Sequence, residues 1–175
     1  MCLASPSYSI HPETPADTPA VERLVERVFG DVMRARAAWH LRQGVPHDPD
    51  LAFIARMPAE TGEIVGTVSC TPILVGDERV VMLGPLAVDP AKRLAGMGSA
   101  LMQHTLAAAR SLPAARTGGL VVLVGDPPYY ERFGFKRVPE RQITFARPVD
   151  YARVMALELR PHRLRDVRGE TRKLG

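Results

Sequence analysis

The stretch from Val80 to Val124 constrains the fold more than any other part of the chain. It reads as an aliphatic strand, a turn with Gly96 and Gly98, a helix from about Gly98 to Leu112 broken by Pro113, a flexible Thr117-Gly118-Gly119, and a buried strand from Leu120 to Val124. Strand, helix and strand at this length make a right-handed crossover, so the two strands are expected to run parallel in one sheet. Upstream, Leu51 to Met57, Glu63 to Val75 and Val80 to Val88 are rich in β-branched and aliphatic residues, with turns at Pro58 to Gly62 and Gly76-Asp77-Glu78. These three predict an antiparallel meander. The sheet is therefore mixed and mostly antiparallel, an α/β (α+β) arrangement with flanking helices.

The remaining elements fill in around that sheet. Tyr8-Ser9-Ile10 is a short first strand ending at His11-Pro12, and Asp17-Thr18-Pro19 opens a helix that Gly30 ends. Val21, Leu24, Val25, Val28 and Phe29 make one apolar stripe at helical spacing, expected in the core. Asp31 caps a second helix with Val32, Ala35 and Trp39 on one face and Gly44 and Pro46 at its stop. Gly125-Asp126-Pro127-Pro128 starts a short helix through Phe133, and strands near Phe135 to Val138, Gln142 to Phe145 and Met155 to Leu159 complete the sheet. Residues 1–7 read as a tail, 8–160 as a single domain, and 161–175 as a loosely ordered basic extension; its five Arg and Lys side chains, with Arg160 at the domain's end, are expected to be solvated.

With 175 residues the chain suits one core. No apolar run approaches the roughly 20 residues that cross a bilayer, and the start shows no secretory pattern, so a soluble cytoplasmic protein without membrane partners is expected. Two cysteines make neither a disulfide framework nor a zinc cluster, and Cys70 reads as core. The five histidines lack ligand spacing, so no metal is expected. A net charge of +4 suits a polyanionic ligand but falls short of a nucleic-acid stripe.

Gly84-Pro85 interrupts the strand Leu83-Gly84-Pro85-Leu86-Ala87-Val88, and a proline there cannot donate to a ladder. A bulge or splay follows, which leaves backbone groups of Leu86, Ala87 and Val88 for a ligand with amides of its own, such as pantetheine. A few residues on, Gly96 and Gly98 let the backbone at a helix N-terminus come close to a pyrophosphate. The dinucleotide fingerprint needs a small residue where Leu101 stands, and the P-loop Gly-Lys-Ser/Thr is absent.

Arg93-x-x-Gly96-x-Gly98 after the proline-interrupted strand, followed by Leu120 to Val124 and then Tyr129-Tyr130-Glu131-Arg132-Phe133-Gly134-Phe135, resembles the GNAT N-acetyltransferases. The R/Q-x-x-G-x-G/A signature matches at Arg93, Gly96 and Gly98, and Y-x-x-x-G-F at Tyr130, Gly134 and Phe135. The L-G-P-L-A-V and Y-Y-x-R-F-G-F wording is that of one bacterial subgroup. The resemblance implies a cleft for acetyl-CoA between two splayed parallel strands, with Leu86, Ala87 and Val88 along pantetheine. The backbone of Arg93, Leu94, Ala95, Gly96, Met97, Gly98 and Ser99 would hold the pyrophosphate, with Lys92 or Arg93 near phosphate charge. Many members carry an asparagine after the second strand; this chain has none, and Gly125-Asp126 stands there.

The implied reaction moves an acetyl group to a primary amine by direct attack in a ternary complex. Tyr130 is the general acid for the departing thiolate, because a phenol keeps its proton at neutral pH. The main-chain N–H of Leu86, or that of Ala87, is the oxyanion donor. Arg132 and Lys136 flank the tyrosine, facing either the site or solvent. Glu26, Asp31, Glu63 and Asp89 all stay open as the general base. The acceptor pocket lies between the two N-terminal helices and the late strands, near Trp39 and Phe145, and takes a small-molecule or peptide amine. A non-catalytic acyl-CoA-binding module and acylation of aminoacyl-tRNA are the other readings, and a homodimer is compatible with each.

Overall fold

The computed structural model describes residues 8–58, 60–92 and 96–175. The N-terminal tail and Arg93, Leu94 and Ala95 lie outside the described residues. β1 (Ser9–Pro12), β2 (Ala52–Arg56), β3 (Ile64–Val75) and β4 (Glu78–Val88) pair antiparallel in that order, which is the expected meander extended by one edge strand. β5 (Leu120–Val124), β6 (Lys136–Arg137), β7 (Ile143–Thr144), β8 (Val154–Glu158) and β9 (Gly169–Lys173) follow. β5 joins β4 in parallel, β8 pairs antiparallel with β5, and β6 closes that edge.

Among the described residues six α-helical segments flank the sheet: α1 (Thr18–Phe29), α2 (Asp31–Arg34), α3 (Ala37–Arg42), α4 (Met97–Ser111), α5 (Ala114–Thr117) and α6 (Pro127–Glu131). On α4, Leu101, Met102, Thr105, Leu106 and Ala109 form the buried stripe, and the helix is the crossover between β4 and β5. Its side chains share one core with Ala55, Val65, Val68, Val81, Leu83, Val121 and Leu123. Their strand neighbours Ile54 and Ile64 pack instead with Leu24 of α1. Successive strand side chains point to opposite faces, so α4 and α1 cover opposite faces of the sheet. Burial of a leucine or methionine at such positions contributes about 1.5–3 kcal/mol.

Asp17 is the N-cap of α1 before Pro19, but its carboxylate turns back rather than capping that helix. A one-turn helix at Pro15–Asp17 precedes α1; the Thr14 N–H and hydroxyl both donate to Asp17 Oδ2, at 2.9 and 2.8 Å, and the Asp17 N–H donates to Thr14 O at 2.9 Å. The single second helix expected after Gly30 is two short ones, because Arg36 is extended. The buried positions are Met33, Ala37 and Leu41, and Val32 is 65% exposed.

The C-terminal segment is ordered rather than a solvated tail. β9 pairs with β3 at Ile73–Val75, on the edge that β2 leaves vacant, and runs parallel to β7. Val167 and Thr171 are buried. The Gln142 side-chain amide donates to the carbonyls of Leu164 and Val167, and Arg163 pairs with Glu78, so part of the basic excess is committed to internal contacts. Gly-Glu-Thr-Arg-Lys carries no aliphatic alternation, since the inward position is held by a threonine; that is why it did not read as a strand.

No helix among the described residues is long and apolar enough to cross a membrane, and no group of three or more His, Cys, Asp or Glu could hold a metal ion there. Cys70 is fully buried and desolvation pushes its thiol pKa up, which suits a core residue.

Candidate active-site cleft

Opposite Ser69 of β3 stand two residues of β4, Gly84 and Pro85, because the register shifts between the Cys70–Leu83 and Val68–Leu86 pairs. This is the expected bulge. The parallel pairing of β4 with β5 extends only over Val81–Val121 and Met82–Val122. Beyond Met82 the two strands have no shared ladder, while β5 stays paired with β8 as far as Val124. A cleft of about 870 Å³ opens at that divergence.

The amide directions along β4 follow from one bond. Asp89 N–H donates to Val65 O at 2.8 Å, towards β3. In an antiparallel ladder the direction alternates, so the amide of Ala87 also faces β3 and those of Leu86 and Val88 face the cleft edge. Leu86 and Val88 line the cleft; Ala87, only 1% exposed, does not. Of the three residues expected to meet pantetheine, Ala87 is thus turned away.

Gly96, Met97, Gly98 and Ser99 all reach the cleft at the start of α4. Gly96 takes the left-handed conformation (φ 82°), and the first intrahelical bond is Ala100 N–H to Gly96 O at 2.8 Å. The first N–H groups of an α-helix have no intrahelical carbonyl partner, which makes such an end a donor for anions. The Met97 side chain is fully buried, so its backbone alone can serve a ligand. A Cβ on Gly98 would stand 2.8 Å from the Tyr129 hydroxyl, so glycine keeps this helix start and α6 in close approach. Arg132 lies over the Tyr129 ring (4.7 Å) and donates to Ser99 Oγ at 3.3 Å, which directs a cation to the same helix end. Lys92 instead pairs with Glu63 at 3.7 Å.

Tyr130 forms the other wall. Its ring meets Tyr129 edge-on at 4.9 Å and packs near Phe135 at 6.0 Å. Burial is the largest influence on its hydroxyl and pushes the pKa up to about 12, with the Tyr129 hydroxyl adding to the rise and Arg153 and Arg36 opposing it. The phenol has no hydrogen-bond partner among the described residues. Gly125 is fixed to Arg153 by two bonds, Gly125 N–H to Arg153 O at 3.0 Å and Arg153 Nε to Gly125 O at 3.1 Å.

None of the four carboxylates left open as general base lines the cleft. Asp89 is buried against Arg27 at 3.1 Å and accepts the Ala91 N–H; Glu63 lies between Arg27 and Lys92; Glu26 and Asp31 pair with Arg34. The carboxylates that line it are Asp126 and Asp150, which the sequence reading missed although Gly125-Asp126 already marked the end of the second strand. Trp39 and Phe145 do not line it either; Val28 and Phe29, from the stripe assigned wholly to the core, do, with Arg36, Arg42 and Arg153.

Comparison with known proteins agrees with this geometry. Residues 49–137 match the acetyltransferase (GNAT) domain family. The chain is 31% identical over 129 residues, 73% of its length and 72% of the relative's, to the Escherichia coli K12 protein named uncharacterized N-acetyltransferase YhbS. The crystal structure of E. coli YhbS in complex with CoA superposes with TM-score 0.78 at 25% identity, over 99% of this chain and 93% of that one. A GNAT family acetyltransferase from Brucella melitensis in complex with acetyl-CoA gives TM-score 0.60 at 25% identity, over 88% and 89% of the two chains.

Proposed function

The chain belongs to the GNAT family of acetyltransferases, and on that premise we propose that it moves the acetyl group of acetyl-CoA to a primary amine by direct attack, with both substrates in the cleft together. The observation that carries the reading is the divergence of β4 from β5 after Met82 and Val122, with outward amides on one wall and the unpartnered Tyr130 phenol on the other. A ligand with amides along its length and phosphates at one end fits this layout. Leu86 and Val88 would meet the amides, and the backbone from Gly96 to Ser99, helped by Arg132, would hold the phosphates. Arg93, Leu94 and Ala95 are assigned to the same phosphate grip from the signature they belong to.

Acetyl-CoA supplies an activated acyl thioester. The outward N–H of Leu86 stands ready for negative charge that builds on an acyl oxygen, a preorganised donor that needs no rearrangement. Tyr130 gives its proton to the departing sulfur as the C–S bond breaks and the C–N bond forms. Burial keeps the phenol protonated and disfavours a free thiolate in the same cleft, so a proton passed to the sulfur removes the charge that the cleft disfavours. The proton lost by the amine returns through water to the Tyr130 oxygen, with Asp126, whose charge acts on that hydroxyl, as the carboxylate at hand. A non-catalytic acyl-CoA-binding module is the second reading, favoured by Gly125-Asp126 standing where many members have asparagine and by the four candidate bases lying outside the cleft.

Calorimetric titration with acetyl-CoA, followed by a thiol-release screen over amines, tests this function. Micromolar binding and amine-dependent thiol release are expected. Absence of acetyl-CoA binding would overturn both readings, and binding without release for any amine would leave the module reading in place.

A further inference from the structure

The end of the cleft away from the phosphate grip is defined by an arginine without a counter-charge. Arg42, the last residue of α3, places Nη1 over Gly84: a Cβ there would stand 2.8 Å away. Gly84 precedes Leu86, so the guanidinium lies beyond the outward amide assigned to the acyl oxygen, on the side opposite Gly96 to Ser99. Its pKa is lowered to about 10, first by desolvation and then by the like charge of Arg36. Among the described residues Arg42 has no ion pair and no side-chain hydrogen bond, and neither has Arg36, which rests on the Phe29 ring at 5.1 Å. The residues outside the described set contain no Asp or Glu, so no side-chain carboxylate is left there to neutralise the pair.

Two adjacent guanidinium groups facing a cleft, one of them largely desolvated, are costly unless an anion joins them. Among the described residues Arg27 pairs with Asp89 and Arg34 with Glu26 and Asp31, while Arg153 and Arg132 are engaged by neutral oxygens, those of the Gly125 carbonyl and Ser99. Of the cleft carboxylates, Asp126 at the start of α6 acts on the Tyr130 hydroxyl and Asp150 caps the turn before β8; neither forms an ion pair with Arg36 or Arg42. The α2–α3 wall thus presents cations without a carboxylate, whereas the Tyr130 side carries Asp126 along with Arg153 and Arg132. A molecule with an anion at one end and an amine at the other meets both.

We propose that the acceptor is a small amine bearing a carboxylate, with the carboxylate held by Arg42 and Arg36 and the amino group directed towards Tyr130 and Asp126. The proposal rests on the acyl-transfer reading above and adds a substrate class to it. Arg42 is a specificity residue in this account, and Arg36 its partner. The planar guanidinium suits a carboxylate's two oxygens, which a lysine would hold less well.

The test uses the full chain and a series of α- and ω-amino acids paired with their carboxamides, at saturating acetyl-CoA. The acids are expected to show kcat/KM about tenfold or more above their amides, mostly in KM, and Arg42→Gln should bring the ratio to about one while Arg42→Lys retains part of it. Acetyl-CoA affinity of Arg42→Gln, measured by calorimetry, should match the unaltered chain, which separates a lost acceptor site from a lost cofactor site. Trp39, the single tryptophan and three residues before Arg42, gives a readout without turnover: its fluorescence in the CoA complex should respond to the acids and not to the amides. Equal use of acids and amides, an acid preference that survives Arg42→Gln, or no carboxylate-dependent response in either readout overturns the proposal. Acetyl-CoA binding would stand in all three cases, so the acyl-transfer reading fails only by its own titration.

Discussion

The Tyr130 ring lies directly against the Cα of Gly125, so closely that a Cβ at that position would overlap ring atoms Cε2 and Cδ2. Gly125 is in turn tied to Arg153 by a pair of backbone-anchored bonds, so it cannot retreat without loosening the end of β5 from β8. The phenol is therefore aimed by the absence of a side chain five residues earlier.

Gly125→Ala is expected to push the ring off this surface. Overpacking of this kind costs about 1–3 kcal/mol, and turnover should fall together with the melting temperature. Thermal unfolding beside steady-state kinetics checks it; unchanged turnover would mean that the ring position does not matter to the chemistry.

Tyr130→Phe removes the hydroxyl and keeps the packing with Tyr129 and Phe135. If the hydroxyl is the general acid, kcat should drop by roughly 10²–10⁴-fold. Acetyl-CoA affinity should change little, as calorimetry can show. A variant with full turnover would sink the assignment.

Burial raises the Tyr130 pKa to about 12, so the acid form persists through the working range. Activity should rise as the acceptor amine loses its proton and show no falling limb from Tyr130 up to about pH 10, the ordinary phenol value. For stability the sign is the same: a raised pKa favours the folded state fully below the unfolded value, and that contribution is lost as pH climbs from there towards about 12. A pH–rate profile with a Tyr130-dependent decline near neutrality would contradict this.

Gly98→Ala sets a methyl 2.8 Å from the Tyr129 hydroxyl, at the helix end assigned to phosphates. Acetyl-CoA binding should weaken, and the double variant with Tyr129→Phe should recover much of it by removing the obstructing oxygen. Calorimetry on the two single variants and the double one gives the coupling.

Val167→Ala tests the C-terminal cover. The side chain is fully buried in the cluster with Ile73, Val75 and Ile143. Its truncation should cost about 2 kcal/mol, or roughly 4–8 °C in Tm, without altering acetyl-CoA affinity.

Much of the cofactor half was legible in the chain because its signals are local. A proline and glycine within a strand disturb the ladder wherever they occur, and glycines before a helix leave its amides open; both effects act over a few residues. The direction of each amide was not legible: Ala87 turns to β3 because of a bond between Asp89 and Val65, residues 24 positions apart in the numbering of a β-ladder. The carboxylates failed for a similar reason. Asp89 looked free and is buried on Arg27, whereas Asp126 looked like a helix cap and faces the cleft.

The sequence by itself determined strands β1 to β8, the helices α1, α4 and α6, the bulge at Gly84-Pro85 and the βαβ crossover, since periodicity, turn chemistry and proline's missing donor are properties of short segments. Tertiary structure alone decided where β4 and β5 part, how Gly125 aims Tyr130, that 169–173 closes the β3 edge, and that Arg42 stands over Gly84 without a counter-charge. Those depend on which distant side chains share space, and burial, pairing and charge compensation are set by that sharing.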